Sequence, residues 1–207
     1  MLQYELQAWG AGYQRVAGLD EAGRGPLAGP VVAAALVFSR EFVENHNGLL
    51  DGLTDSKKLT EAKRNHFYDI LVESQHAWIG VGEANEQEID SHNILRATYL
   101  AMQRAVEQIE PAPDHVLVDG KPVEGLPTSS TAIVKGDSLS LSIAAASVIA
   151  KVTRDRIMTQ LDATYPQYGF ARHKGYGTKV HLDALREHGP SPVHRHSFAP
   201  IAQPELF

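Results

Sequence analysis

The chain has 207 residues, 43% of them hydrophobic and 21% charged, with no cysteine and a formal net charge of -6. That is enough chain for one domain with a full core, and the lack of cysteine excludes disulfides, thiolate catalysis and cysteine-held zinc. The longest apolar run, Val31 to Phe38, is too short to span a bilayer. The opening Met1-Leu2-Gln3-Tyr4-Glu5 lacks a basic start and an apolar signal core, so a cytoplasmic protein with no membrane partner is expected.

The average charge hides an asymmetry. Residues 1–150 hold 11 Lys and Arg against 20 Asp and Glu, whereas residues 151–196 hold 8 against 4, together with five of the ten histidines. An acidic first part and a basic C-terminal part suit a metal site facing a phosphate-binding surface. On charge alone, ordinary scatter of surface residues is the simpler reading.

In chain order, residues 1–14 show no period and read as a loosely held lead-in. Val16–Asp20 reads as a short buried strand, Val31–Phe38 as a second and Ala77–Gly82 as a third. Thr60 is placed to cap a helix over about 61–74. Leu95, Tyr99, Met102, Val106 and Ile109 recur at helical spacing and predict a helix over 91–109, stopped by Pro111 and Pro113. His115–Asp119 and Thr131–Val134 read as strands. A helix over 142–163 follows, and Thr178 opens a last one that ends at Gly189-Pro190. Three early strands on short connections suggest a meander, and later strands alternating with helices suggest parallel addition to it. The expected fold is α/β: a mixed five-stranded sheet flanked by helices, with a small C-terminal helical extension. A single domain over 15–198 and a tail over 199–207 complete the expected organisation.

Asp20 and Glu21 stand together at the end of the first strand, ahead of the glycine-rich turn Ala22-Gly23-Arg24-Gly25-Pro26. Adjacent carboxylates there repel each other and call for a cation. Asp119 and Asp137 also end strands or the turns after them. A lone Asp in such a place is usually a turn residue, but four can converge if their strands are neighbours. Magnesium or manganese fits an all-carboxylate ligand set. A carboxylate-bound metal pair is also standard apparatus for phosphodiester hydrolysis, one ion preparing a water and the other stabilising the leaving 3′ oxygen.

Gly23-Arg24-Gly25-Pro26-Leu27-Ala28 formally matches a dinucleotide fingerprint. Its proline, the strand that follows and the carboxylates beside it exclude a pyrophosphate site. Gly23 and Gly25 leave the backbone open to close approach by a ribose hydroxyl or a phosphate. Ser147, Lys151 and Arg154 share one helix face and suit a nucleic-acid backbone; a solvated face is the alternative. Lys57 and Lys58 precede a helix as plausible phosphate contacts. Tyr176, between glycines, is placed to stack on a sugar or base. His194 and His196 lack a third ligand and read as incidental.

These stretches resemble the motifs of ribonuclease HII. Val16 to Pro30 is similar to the family's opening motif, and Asp55-Ser56-Lys57-Lys58-Leu59, Val116 to Gly120, Lys135-Gly136-Asp137, Ser142 to Asp155, His173 to Thr178 and His194 to Phe198 follow in the family's order. The resemblance implies a ribonuclease H-like fold. It further implies endonucleolytic cleavage of RNA in RNA–DNA hybrids and incision 5′ to ribonucleotides embedded in duplex DNA. It puts the catalytic and metal-holding carboxylates on Asp20, Glu21, Asp119 and Asp137, the 2′-hydroxyl reader on Gly23, Arg24 and Gly25, and the junction-sensing tyrosine on Tyr176. Gly177 stands where many members carry proline. A monomer is expected. Gln203-Pro204-Glu205-Leu206-Phe207 resembles the short peptides that dock on bacterial sliding clamps, with Gln203, Leu206 and Phe207 as the contacts; a free terminal segment is the alternative. A DNA-directed nuclease of the same fold, or a non-catalytic binder of hybrid duplexes, is the competing functional reading.

Overall fold

The structure, a computed structural model, describes residues 1–45 and 48–203. Five strands form one mixed sheet in the order β3-β2-β1-β4-β5: β1 Val16–Ala22, β2 Val31–Phe38, β3 Ala77–Ala84, β4 His115–Asp119 and β5 Ser129–Ile133. β1 and β3 flank β2 antiparallel, whereas β4 joins β1 and β5 joins β4 in parallel. This is the expected mixed sheet.

Helices cover both faces. β2 is buried along its whole length, which is why it reads as an unbroken apolar run. Its alternate residues divide cleanly. Ala34, Leu36 and Phe38 pack with α3 (Glu61–Glu73) and α5 (Leu141–Thr164), while Ala33, Ala35 and Val37 pack with α4 (Glu86–Glu107). Gly18 on β1 lets α5 lie against the sheet, because a Cβ there would run into the Ser142 backbone. The alanines Ala144, Ala145 and Ala146 keep that approach close. Phe170 of the short α6 (Phe170–His173) and Leu185 of α7 (Lys179–His188) form a third cluster with Met158 and Ile201.

Three differences from expectation have local causes. Residues 1–14 are not a loose lead-in: Gln3–Gly10 is a helix, α1. Its buried Glu5 accepts hydrogen bonds through Oε1 from Ser140 Oγ (2.6 Å), Ser142 N–H (2.9 Å) and Ser142 Oγ (2.7 Å) at the start of α5. α4 begins earlier than 91, at a capping box between Asn85 and Glu88, and kinks at Asn93, whose φ is 66°. The Asn93 side chain then caps the second stretch through Leu95 and Arg96 N–H. A short helix, α2 (Arg40–Asn45), follows β2. Among the described residues no helix is long and apolar enough to cross a membrane.

Candidate active site

Asp20, Asp119 and Asp137 come together, each offering a carboxylate oxygen within 4.8 Å of the others. The sheet explains how. The parallel register that sets Leu19 beside Val118 places Asp20 next to Asp119 on the neighbouring strand end. After β5, residues 136–138 turn back as a 3₁₀ helix. Gly136 N–H donates to Asp119 Oδ1 at 2.7 Å, which brings Asp137 over Asp119. Lys135, which precedes this turn, is a non-glycine residue at φ 59°, the kind of strained backbone that persists where the surroundings over-determine it.

The cluster carries an electrostatic load. Burial first, then the charges of Glu21 and Asp119, push the Asp20 carboxyl well above the ordinary carboxylate range. Burial and the Asp119 charge also raise Asp137. Lys57 faces the group: burial works against its ammonium, but Asp20, Asp55, Asp137 and Asp119 together hold it above the usual lysine value.

Glu21 lies just outside the trio's 4.8 Å grouping, beside Asp20 and Asp119, whose charges act with its own. Side chains alternate along a strand. Ala17 and Leu19 of β1 face α4, so Glu21 does too, whereas Asp20 faces α5. Glu21 lines a cleft with Leu95, Thr98, Tyr99, Met102, Asp119 and Lys121, and its Oε1 pairs with Arg24 at 3.2 Å. Burial raises its carboxyl and Arg24 opposes the rise. Glu21 therefore stands at the edge of the sheet beside Asp119, lining both this cleft and the groove on the α5 side.

On the α5 side a groove of about 260 Å³ is lined by Asp20, Glu21, Gly23, Arg24, Gly25, Ser56, Lys57, Ser147, Lys151, Arg154 and Tyr176. Tyr176 is 48% exposed, and its ring lies over Gly25. Leu27 N–H donates to Gly175 C=O at 2.8 Å, joining the glycine turn to the tyrosine segment. Gly23, at φ 98°, has no room for a Cβ because Arg154 lies against it.

Arg154 is not the exposed phosphate contact expected of it. It is 1% exposed and donates to the carbonyls of Pro30 (3.0 Å), Lys174 (3.0 Å) and Ala28 (3.1 Å). The Ser147–Lys151–Arg154 face is thus not a solvated stripe. Ser147 Oγ donates to Ser56 Oγ at 2.7 Å and accepts Ser56 N–H, tying the 55–59 loop to α5. Lys151 pairs with Asp155 at 2.6 Å. Lys58 reaches Ser138 Oγ at 2.8 Å, beside Asp137. Gln203 is exposed; Leu206 and Phe207 of the tail lie outside the described residues.

Arg195 is the residue that sequence reasoning passed over. Fully buried, it donates to the carbonyls of Gly23 (2.6 Å), Arg24 (3.0 Å) and Gly29 (2.7 and 2.9 Å). Burial, reinforced by Arg154, lowers it to about 9. It lay within the His194 to Phe198 motif, where no role was assigned to it, and a fork of five donors suited to several carbonyls at once is what a buried arginine offers.

A mixed sheet with carboxylates gathered at the ends of its central strands is the architecture of a ribonuclease H-like nuclease. The ribonuclease HII family model matches residues 17–201. Ribonuclease HII from Clostridioides difficile (strain 630) is 50% identical over 195 residues, covering 94% of this chain and 74% of that one. Ribonuclease HII from Desulfitobacterium hafniense (strain DSM 10664 / DCB-2) is 52% identical over 203 residues, covering 98% and 75%. Among solved structures, ribonuclease H2 from Pyrococcus horikoshii OT3 superposes with a TM-score of 0.75 at 26% identity, over 93% of this chain and 97% of that one. The chain belongs to the ribonuclease HII family, a family of endoribonucleases.

Proposed function

We propose that this protein hydrolyses the RNA strand of RNA–DNA hybrids and incises duplex DNA on the 5′ side of embedded ribonucleotides. One observation carries the reading: Asp20 belongs both to the carboxylate trio and to the groove edged by Gly23, Gly25 and Tyr176. A cutting centre and a surface able to sense a ribose thus share one wall.

The trio fits divalent cations. Its donors are all carboxylate oxygens, the set that magnesium and manganese prefer, and the Asp20 and Asp137 carboxyls are raised by burial first and then by neighbouring negative charge, which a cation would relieve. Asp20, Asp119 and Asp137 are the residues assigned to hold them, with Glu21 beside Asp119. When bound, such cations supply Lewis acidity to the scissile phosphate and its attacking water. The rest falls to the chain. Gly136 N–H fixes the Asp119 carboxylate. Lys57, beside Asp20 in the groove, is placed to bind a phosphate oxygen. The open backbone of Gly23-Arg24-Gly25 and the Tyr176 ring meet the 2′-hydroxyl, the group that separates RNA from DNA. The sliding-clamp reading of residues 203–207 rests on the sequence alone.

A duplex with one ribonucleotide, incubated with magnesium or manganese and mapped at nucleotide resolution, tests the reading. A cut 5′ to the ribonucleotide is expected, leaving 3′-hydroxyl and 5′-phosphate ends. All-DNA duplex stays intact, and Asp119→Asn abolishes the cut while keeping the fold. Cleavage of all-DNA duplex points to a DNA-directed nuclease, and binding without cleavage to a hybrid binder; either overturns the proposal.

A further inference from the structure

Behind the groove lie three buried histidines, His173, His181 and His194, that touch none of the carboxylates. His181 and His194 meet Nε2 to Nε2 at 3.0 Å. Their other partners fix which nitrogen carries each proton. His194 Nδ1 receives Ser191 N–H at 2.9 Å, so its proton is on Nε2. His181 Nδ1 faces the Tyr176 carbonyl at 2.9 Å, which only accepts, so Nδ1 carries the proton and Nε2 accepts from His194. Both rings of the pair are then neutral, in keeping with burial that lowers the two to about 4.

The wiring ends on the two loops of the groove. Through His181 it holds the Tyr176 carbonyl. The segment that carries His194 pairs with Ala28 in an isolated bridge, and the next residue, Arg195, donates its N–H to Leu27 C=O at 2.8 Å. No other side chain among the described hydrogen bonds reaches the backbone of Tyr176, whose ring is half exposed.

We infer that His181 and His194 are positioning residues for substrate selectivity: through one hydrogen-bond relay they hold Tyr176 against the glycine turn in the pose that recognises an isolated ribonucleotide. The inference rests on the reading of Tyr176 as part of the ribose sensor.

Size-matched variants isolate the relay. In His181→Asn the side-chain amide N–H replaces Nδ1–H toward Tyr176; in His181→Gln the amide lies where Nε2 was, and the Tyr176 contact is lost. The readout is kcat/KM on a duplex with one ribonucleotide divided by kcat/KM on a continuous RNA–DNA hybrid, with Tyr176→Ala as the benchmark. Tyr176→Ala and His181→Gln are expected to lower this ratio about tenfold, since small misplacements at a reactive site cost that much or more. His181→Asn, which keeps the bond to Tyr176 but gives up the one from His194, is expected to lower the ratio by less, about threefold. An unchanged ratio in Tyr176→Ala removes the sensor reading itself. A lowered ratio in Tyr176→Ala with no change in His181→Gln, or equal losses in the two His181 variants, overturns the relay. If His181→Gln does not fold, His194→Asn, which keeps the acceptor for Ser191 N–H and loses the donor to His181, takes its place against His194→Gln, and the same two outcomes decide.

Discussion

Arg195 donates from Nη2 to the carbonyl of Gly23 at 2.6 Å, so a side chain near residue 200 fixes the turn that follows the paired carboxylates. Arg154 does the same from α5 through Ala28 and Pro30. Residues 23–30 are thus gripped by two buried guanidinium groups, whose charges face Glu86 at longer range. Arginines of this kind bind backbone rather than phosphate, and their effect on the substrate is indirect.

Replacing Arg195 by lysine keeps the charge and loses the fork. Three carbonyls then share one ammonium, and buried acceptors left unpaired cost about 1–3 kcal/mol each. Arg195→Lys is expected to lower the urea midpoint and to reduce kcat/KM on a single-ribonucleotide duplex by about tenfold or more. An unchanged midpoint with unchanged kinetics contradicts the arrangement.

Glu5 gives a second test. Its Oε1 takes three hydrogen bonds at the start of α5, while Oε2 is buried with no partner among the described residues. Glu5→Ala strands two hydroxyls and one N–H and is expected to cost about 2–4 kcal/mol in denaturant unfolding. Glu5→Gln keeps the accepting oxygen and is expected to recover much of that loss. Equal losses in the two variants argue against the hydrogen bonds as the cause.

Acid stability follows from the histidine pair. His181 and His194 sit at about 4 in the fold, lowered by burial, against about 6.5 unfolded. Between those values the unfolded chain binds more protons, so stability rises with pH there. Their contribution is complete above about pH 6.5 and drains away as the pH falls towards 4, by roughly 3 kcal/mol for each histidine. His173 and His196 lie close enough to His194 that protonation of either works against charging it. Asp20, with its raised carboxyl, has the opposite slope, so the comparison is made against His194→Gln, whose urea-unfolding free energy is expected to fall less steeply from pH 6.5 to 4. Parallel curves for the two proteins refute the assignment.

Much of this was legible in the amino-acid order because the relevant signals are local. The five strands and the long helices announce themselves through apolar runs, alternation and caps. The carboxylates stand at element ends, where turn chemistry marks them. What stayed hidden depends on where side chains point once elements pack. Asp20 and Glu21 are adjacent in the chain, yet strand alternation sends one to α5 and the other to α4. Arg154 shares a helical face with Ser147 and Lys151, but loops 23–30 and 173–176 fold over that face and bury it. α1 lacks a clear period because its role is carried largely by one polar side chain, Glu5, rather than by an apolar stripe.

The trio also has a consequence for how the chain comes to life. Asp20 lies on β1, Asp119 on β4 and Asp137 in the turn before α5, and β1 reaches β4 only by parallel pairing across two intervening strands and three helices. Such non-local pairing forms late, because long loops must close before it is rewarded. While the chain emerges from the ribosome, its carboxylate trio is not assembled until β4, β5 and the turn beyond them have docked.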